Sequence, residues 1–154
     1  MGIKSRWLDN RLQVNGAWFY NDSTDMQMSI FIAGSSAASI VQNAGEATIQ
    51  GFEVELVALP TPNLELSASY GYLDPSYGEF IENGVDVKDR KDFPYAPQNS
   101  AAFSAEYSIA AGSWGDLTAS LDYEFVDRHA PYIEPFQNAT SEVKPYSLFN
   151  GRVT

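Results

Sequence analysis

The sequence contains no cysteine and only one histidine, His129, among its 154 residues. Without cysteine the chain has no disulfide framework, no thiolate metal site and no cysteine nucleophile. Basic residues are also scarce, since nine Lys and Arg stand against twenty Asp and Glu, which gives a formal net charge of -11. Phosphate backbones are bound by clusters of Lys and Arg, so this balance excludes nucleic acid as a partner.

Long apolar runs are missing as well. No stretch has the roughly 18 uninterrupted apolar residues that a membrane helix needs. The first ten residues lack the apolar segment of a secretory signal peptide of the usual form. Because 44% of the residues are apolar and 14% are aromatic, the chain is not a disordered one. Any membrane contact must therefore be made by β-strands.

The clearest pattern lies between Asn43 and Leu59, where apolar and polar residues alternate. Phe52, Val54 and Leu56 fall on one side of this stretch, whereas Gly51, Glu53 and Glu55 fall on the other. A period of two predicts a β-strand with one apolar face and one face in water. Strands are also predicted at 2–8, 11–20, 64–73, 99–109, 117–126 and 144–154.

The connections between these strands alternate in length. Short turns are predicted at 9–10, 60–63 and 110–115, and long segments at 33–42, 74–97 and 127–143. Tight turns at one end and long loops at the other are typical of outer-membrane barrels. The predicted fold is all-β, an antiparallel up-and-down meander of about seven strands.

A repeat runs through the three strands that lead from short turns to long loops. In each, aromatic residues follow a leucine after six and eight positions. With about 3.3 Å per residue and a tilt near 40°, eight residues climb roughly 20 Å, close to the ~25 Å apolar band of a membrane barrel. We therefore predict a lipid-facing aromatic girdle formed by Trp18, Tyr20, Tyr70, Tyr72, Tyr123 and Phe125. The opposite face would carry Glu53, Glu55, Asp122 and Glu124 into a lumen.

Catalytic and metal sites have little support in the sequence. A Ser-His-Asp triad would need His129 with Asp127 and either Ser113 or Ser141, but nothing in their spacing places them together. The acidic residues of segment 74–97 could donate oxygens to Ca²⁺, but they lack the Asp-x-Asp-x-Asp-Gly spacing of a dedicated calcium loop. We predict no catalytic residues, no metal and no cofactor.

Several motifs, taken in their order, resemble the barrel of TonB-dependent outer-membrane receptors. They are GIKSRWLDNRLQVNGAWFYNDSTDMQ at 2–27, IQGFEVEL at 49–56, ASYGYLDPSY at 68–77, PYAPQNSAAFSAEY at 94–107 and KPYSLFNGRV at 144–153. In that family an N-terminal plug fills a 22-stranded barrel. The resemblance implies that residues 1–154 are part of such a barrel domain, without the plug.

The resemblance also implies a function. The chain would be a segment of a receptor in the bacterial cell outer membrane that takes up an iron-siderophore or a similar scarce nutrient. Its partners would be outer-membrane lipid, a small-molecule ligand such as a ferric siderophore, and TonB acting through the plug domain. Candidate ligand-binding residues, chosen as aromatic or charged loop tips, are Tyr77, Arg90, Tyr95, Arg128, His129 and Tyr132. A self-contained soluble β-sheet binding module and an outer-membrane hydrolase remain the alternatives.

Overall fold

A computed structural model describes residues 1–31, 39–43, 45–82 and 84–154. Seven strands form one antiparallel sheet. Each strand pairs with the next sheet strand along the chain, which confirms the predicted meander of about seven strands. The bounds are β1 Gly2–Trp7, β2 Leu12–Thr24, β5 Glu46–Thr61, β6 Leu64–Glu79, β9 Asn99–Ala110, β10 Asp116–Val126 and β11 Tyr146–Val153.

The long connections contain further structure. Strand β3 (Gln27–Phe31) pairs with β4 (Ser39–Asn43), β7 (Ile81–Glu82) pairs with β8 (Val85–Asp86), and helix α1 spans Pro135–Ser141. The predicted loop at 33–42 was therefore wrong for Ser39 to Gln42, because these residues belong to a strand that pairs with β3 in a separate two-stranded sheet. The rest of that prediction lies outside the described residues. Strand β6 also continues to Glu79, beyond the predicted end at Leu73, because it stays paired with β5.

Turn residues explain the tight reversals. Leu8, Asp9 and Asn10 have φ values of 55°, 55° and 66° between β1 and β2. Asp and Asn accept this left-handed region more readily than most residues, since their side chains can hydrogen-bond to nearby backbone. Between β5 and β6, Pro62 and Asn63 form a two-residue turn that connects the paired residues Thr61 and Leu64.

The sheet itself has almost no buried interior. Among the described residues, the buried apolar side chains are those of Ala47, Tyr77, Phe80 and Ile133, and all four lie at the end of the sheet that carries the long loops. The predicted apolar face remains open, with Trp18 53% exposed and Leu121 51% exposed. A closed soluble sandwich would bury this face, so the sheet does not have the form that the soluble alternative requires.

None of the helices in the described part of the chain is long and apolar enough to span a membrane.

Candidate functional site

The strand register places the predicted girdle on one face of the sheet. Trp18 lies opposite Phe52, and Phe52 lies opposite Tyr72 on the next strand. The ring centroids of Phe52 and Tyr72 are 5.5 Å apart, and those of Trp18 and Tyr20 are 6.3 Å apart. Because facing residues and every second residue share a side of a sheet, the six predicted aromatics share this apolar face. Their contact with lipid stays a prediction.

The other face is polar and curves inward. An open groove of about 470 Å³ lies against it, and residues from six adjacent strands line this groove. Asn15 Nδ2 donates to Glu55 Oε2 at 3.1 Å, and Ser104 Oγ donates to Asp122 Oδ1 at 2.7 Å. The groove residues of this face include Gln13, Asn15, Glu55, Ser67, Ser69, Ser104, Asp122, Glu124 and Asn150. An apolar convex face and a polar concave face are the reverse of a soluble barrel.

Beyond the polar groove, segments from three long connections pack together into what we call the outer-loop cluster. Its core consists of Ala47, Tyr77, Phe80 and Ile133, with Met26, Val87 and Phe93 packed against it. The Tyr77 ring stacks on Phe93 at 4.9 Å and meets Phe80 edge-on at 5.2 Å. Burial, reinforced by the negative charge of Asp92, raises the pKa of Tyr77 to about 12.

A buried lysine ties two of these connections together. The Lys91 side chain is 3% exposed, and its Nζ donates to Glu82 Oε2 at 3.0 Å and to Glu134 Oε1 at 2.5 Å. The ammonium also lies 5.2 Å from the centre of the Phe80 ring. Burial acts to lower the pKa of Lys91, but the hydrogen bonds and charges of Glu134 and Glu82 outweigh it, so this pKa stands above its ordinary value.

Asn138 makes the second link between the same two connections. It is 7% exposed, and its Nδ2 donates to Asp92 Oδ2 at 2.7 Å and to the Tyr132 carbonyl oxygen at 2.7 Å. Its Oδ1 accepts from the Tyr132 N–H at 3.1 Å. Since a buried amide is costly unless it is hydrogen-bonded, this satisfied group specifies one packing of the two loops.

Four of the six ligand-binding candidates lie on two segments that the fold brings side by side. The Tyr95 N–H donates to the Ala130 carbonyl oxygen at 2.8 Å, which places Tyr95 beside segment 128–132. Tyr95 is 72% exposed, Tyr132 is 47% exposed, Arg128 is exposed and His129 is half-buried. Arg90 is exposed at the end of the 3-10 helix Lys88–Arg90. Tyr77 differs from the others because its ring is buried in the outer-loop cluster.

Tyr95 also has an unusual backbone, with a φ of 55°. A bulky residue in the left-handed region is uncommon and persists only where the surroundings hold it. Here the bridge between Pro94 and Ala130 holds the backbone on one side. The result is an exposed phenol ring on a constrained backbone, beside the segment that contains the exposed Arg128. Aromatic faces and a guanidinium suit a flat, anionic ligand.

Catalysis by His129 has no geometric support. The imidazole Nδ1 lies 3.2 Å from the backbone oxygen of Asp127. The Asp127 carboxylate instead accepts from Asn99 Nδ2 at 2.7 Å and from the Arg128 N–H at 2.8 Å. These two hydrogen bonds hold the pKa of Asp127 below its usual value. A triad needs that carboxylate on the imidazole, so the hydrolase alternative loses its orienting group.

Within the described ranges, no group of three or more His, Cys, Asp or Glu side chains could hold a metal ion.

Apart from Tyr77, the residues that build the outer-loop cluster were not predicted from the sequence. Lys91 and Glu134 are 43 positions apart, and Asn138 and Asp92 are 46 apart. No local period or motif connects such distant positions in a single sequence. Phe80 and Phe93 offered a weak signal, since these two phenylalanines stand in a segment rich in charged residues.

The family model for the TonB dependent receptor-like β-barrel matches residues 1–154. Among solved structures, the chain is similar to the ferric yersiniabactin uptake receptor FyuA of Yersinia pestis, with a TM-score of 0.67 and 19% identity over 99% of this chain and 21% of that one. The siderophore receptor PiuA of Acinetobacter baumannii gives 0.67 and 21% over 99% and 21% of the two chains. The ferric-catecholate import receptor Fiu of E. coli gives 0.68 and 15% over 99% and 20%. At these identities the likeness shows the fold, and this chain spans about one fifth of each receptor's length.

Proposed function

Because the chain belongs to the TonB-dependent receptor family, we propose that it is part of the barrel wall of an outer-membrane receptor that takes up a scarce small-molecule nutrient. The observation that carries this proposal is the polarity of the two faces of the sheet, which is opposite to that of a soluble barrel. Its convex face is apolar and carries the aromatics, whereas its concave face carries Asn15, Glu55, Ser104 and Asp122. Such a wall suits a surface that meets lipid on one side and a wet lumen on the other.

The proposed location is the outer membrane of a Gram-negative bacterium. In that setting the short turns face the periplasm and the long connections face outward, as in other barrels of this type. The seven-stranded sheet has free edges at β1 and β11, so further strands of the receptor would complete the barrel. TonB would act through a plug domain held inside that barrel.

The proposed ligand is a ferric siderophore or a similar chelate. The similar structures named above are siderophore receptors by name, which makes this class the first to test. Tyr95 and Tyr132 are exposed, and the hydrogen bond from the Tyr95 N–H to the Ala130 carbonyl oxygen sets Tyr95 beside segment 128–132, which also contains Arg128 and His129. Arg90 is a further exposed cation in the preceding long connection. Aromatic rings and cations are suited to the flat, negatively charged surface of such a chelate.

Uptake can be tested with the full-length receptor in a Gram-negative strain that lacks its own siderophore receptors. Growth is measured under iron limitation with a panel of single ferric siderophores, with and without a functional tonB gene. We expect at least one siderophore to support growth, and only when TonB is present. Growth on none of the panel, or growth independent of TonB, would contradict the proposed function.

The ligand site can be tested separately by binding to the purified receptor in detergent. Tyr95→Ala should weaken binding of the active siderophore about tenfold, in line with the ~1.5 kcal/mol of a well-placed aromatic contact. Phe136→Ala is the matched control, because Phe136 is also an exposed aromatic, 64% exposed, in the loop that contains α1. Equal affinities for both variants would remove Tyr95 from the site while leaving the receptor function intact.

A further inference from the structure

On β2, β6 and β10, every second residue from a leucine to the last girdle aromatic forms an outward-facing row, and each row ends at an aspartate. Asp22, Asp74 and Asp127 each follow by ten residues the leucine that begins the row, namely Leu12, Leu64 and Leu117. An even spacing keeps leucine and aspartate on the same side of a strand. Each aspartate also comes two residues after the last girdle aromatic, which is Tyr20, Tyr72 or Phe125. Each repeat therefore consists of an outward-facing row from leucine to aromatic, followed on the same face by a charged residue.

Each of these carboxylates is held by an uncharged side chain on the adjacent descending strand. Thr48 Oγ1 donates to Asp22 Oδ1 at 2.7 Å, and Gln50 Nε2 donates to Asp74 Oδ2 at 2.9 Å. Asn99 Nδ2 donates to Asp127 Oδ2 at 2.7 Å. In the described part of the chain, the ion pairs within 4.0 Å join Lys88 and Lys91 to other carboxylates, so none of these pairs includes Asp22, Asp74 or Asp127. Of the three, Asp127 also experiences the positive charge of Arg128. A charge without a cation is stable only where water reaches it.

The register places the three aspartates at one height in a tilted sheet. Asp22 lies opposite Thr48, which lies opposite Ser76, so Asp74 is displaced by two residues over two strands. The same displacement separates Asp74 from Asp127, because Tyr72 lies opposite Asn99 and Asn99 bonds to Asp127. The aspartate position therefore shifts by one residue, or about 3.3 Å along the strand, for each strand spacing of ~4.8 Å across the sheet. If the strands tilt by about 35° from the membrane normal, this shift leaves all three aspartates at the same height. This angle falls within the roughly 35–45° tilt of membrane barrels.

We infer that Asp22, Asp74 and Asp127 form an aspartate collar that sets the outer limit of the hydrocarbon layer around this part of the barrel. The partner is a lipid bilayer, with acyl chains against the rows from leucine to aromatic and hydrated headgroups at the carboxylates. Ten residues at a tilt of about 35° climb roughly 27 Å, close to the ~25 Å apolar band of such barrels. The inference rests on the proposed membrane location.

The chemistry of the girdle supports this boundary. Tyr70 Oη donates to Asn99 Oδ1 at 2.6 Å, and Asn99 in turn donates to Asp127. Gln98 Nε2 lies 3.4 Å from Tyr72 Oη. The phenol hydroxyls thus point from the apolar rows into the polar collar, as tyrosine does at a membrane interface. The collar and the girdle form one continuous boundary.

The test uses the full-length receptor, refolded from urea into phosphatidylcholine vesicles of increasing acyl-chain length. The folded fraction is read from the heat-dependent gel mobility of the barrel. The variant with Asp22→Leu, Asp74→Leu and Asp127→Leu lengthens each apolar row by one outward position, so its optimum should move to a bilayer thicker by up to roughly 5 Å. The control Asp122→Leu lies on β10 but faces the concave side, and it should keep the wild-type optimum.

The outcomes separate the collar from the receptor function. An unchanged optimum in the triple variant would overturn the collar, while uptake of siderophore by the wild type would be unaffected. Failure of the wild type to fold into any bilayer would overturn the membrane location itself. If the triple variant folds in no lipid, the three single variants decide, because each should shift the optimum in the same direction by a smaller amount. A shift of equal size in Asp122→Leu would also overturn the collar.

Discussion

The ring of Phe19 lies over Gly51 on the neighbouring strand, so close that a Cβ added at Gly51 would stand 2.8 Å from Phe19 Cζ. The same Cβ would stand 2.2 Å from the Tyr72 carbonyl oxygen on the other side. Phe19 belongs to the polar concave face by register, since it lies opposite Gly51 and beside Glu53. The absence of a side chain at Gly51 thus leaves room for the Phe19 ring beside the backbone of the neighbouring strand.

We expect Gly51→Ala to destabilise the barrel by about 3 kcal/mol, the upper range for overpacking, because the close atom is a backbone oxygen of the next strand. Gly16→Ala is the control, since its Cβ would meet Ile3 Cγ2 at 3.6 Å, an ordinary contact. Urea unfolding of the full-length receptor in detergent would measure both. Equal unfolding midpoints for the two variants would show that the strands around Gly51 accommodate a Cβ without loss of stability, which would contradict the prediction.

Lys91 should hold the outer-loop cluster closed. Lys91→Met leaves Glu82 and Glu134 facing each other without a cation, so we expect the local opening free energy to fall by about 2 kcal/mol, or roughly 30-fold in exchange rate. Hydrogen exchange of segments 80–95 and 130–142 would report it. Lys88→Met is the control, because Lys88 and Asp86 are 3.6 Å apart and each 39% exposed, so its effect should stay below ~0.5 kcal/mol. Comparable exchange in both variants would contradict the role of Lys91.

The outer-loop cluster should also loosen in alkali. The pKa of Tyr77 is raised from 10.0 to about 12, so the folded state favours the neutral phenol. The stability that this provides is fully present below pH 10 and is lost as the pH rises through about 12. The raised pKa of Lys91 acts in the same direction, since its ammonium is favoured in the fold. A tyrosinate absorbance titration of wild type minus Tyr77→Phe should therefore show a late component, and a midpoint near 10 would refute this assignment.

The isolated 154-residue chain should not behave as a stable monomer in water. Among the residues that the structure describes, no strand pairs with the outer edges of β1 and β11, and the convex face exposes apolar side chains across several strands. Soluble monomers rarely expose a contiguous apolar patch larger than a few hundred Å². Size-exclusion chromatography without detergent should show association, and circular dichroism should show no cooperative melt. A monodisperse monomer with a sharp melt would restore the soluble binding module.

Much of the sheet was predictable because its determinants are local. The alternation in Phe52, Glu53, Val54 and Glu55 assigns faces residue by residue, and the turn at Asp9 and Asn10 gives the reversal. In a meander each strand pairs with the next sheet strand, so strand order follows once the strands are found. The aspartate repeat was equally present in the sequence, but its height could be judged only from the register.

Of the candidate site, the sequence supplied residue types and approximate position, but not their environments. Tyr77 and Tyr95 look alike in the sequence, yet one ring is buried against Phe80 and Phe93 whereas the other is 72% exposed. The difference comes from contacts between connections that are distant along the chain, such as Lys91 with Glu134. Loops have no period to mark their faces, so these contacts exist only in three dimensions.

The amino-acid sequence by itself therefore determined the seven strands of the sheet, their two faces and the alternation of short and long connections. Each of these features depends on residues that are close together in the sequence. The tertiary structure alone decided that Lys91 and Asn138 are buried, that Phe19 covers Gly51, and that the three aspartates lie level. Those properties depend on register and on long-range packing, where the free energy comes from groups that the chain brings together only on folding.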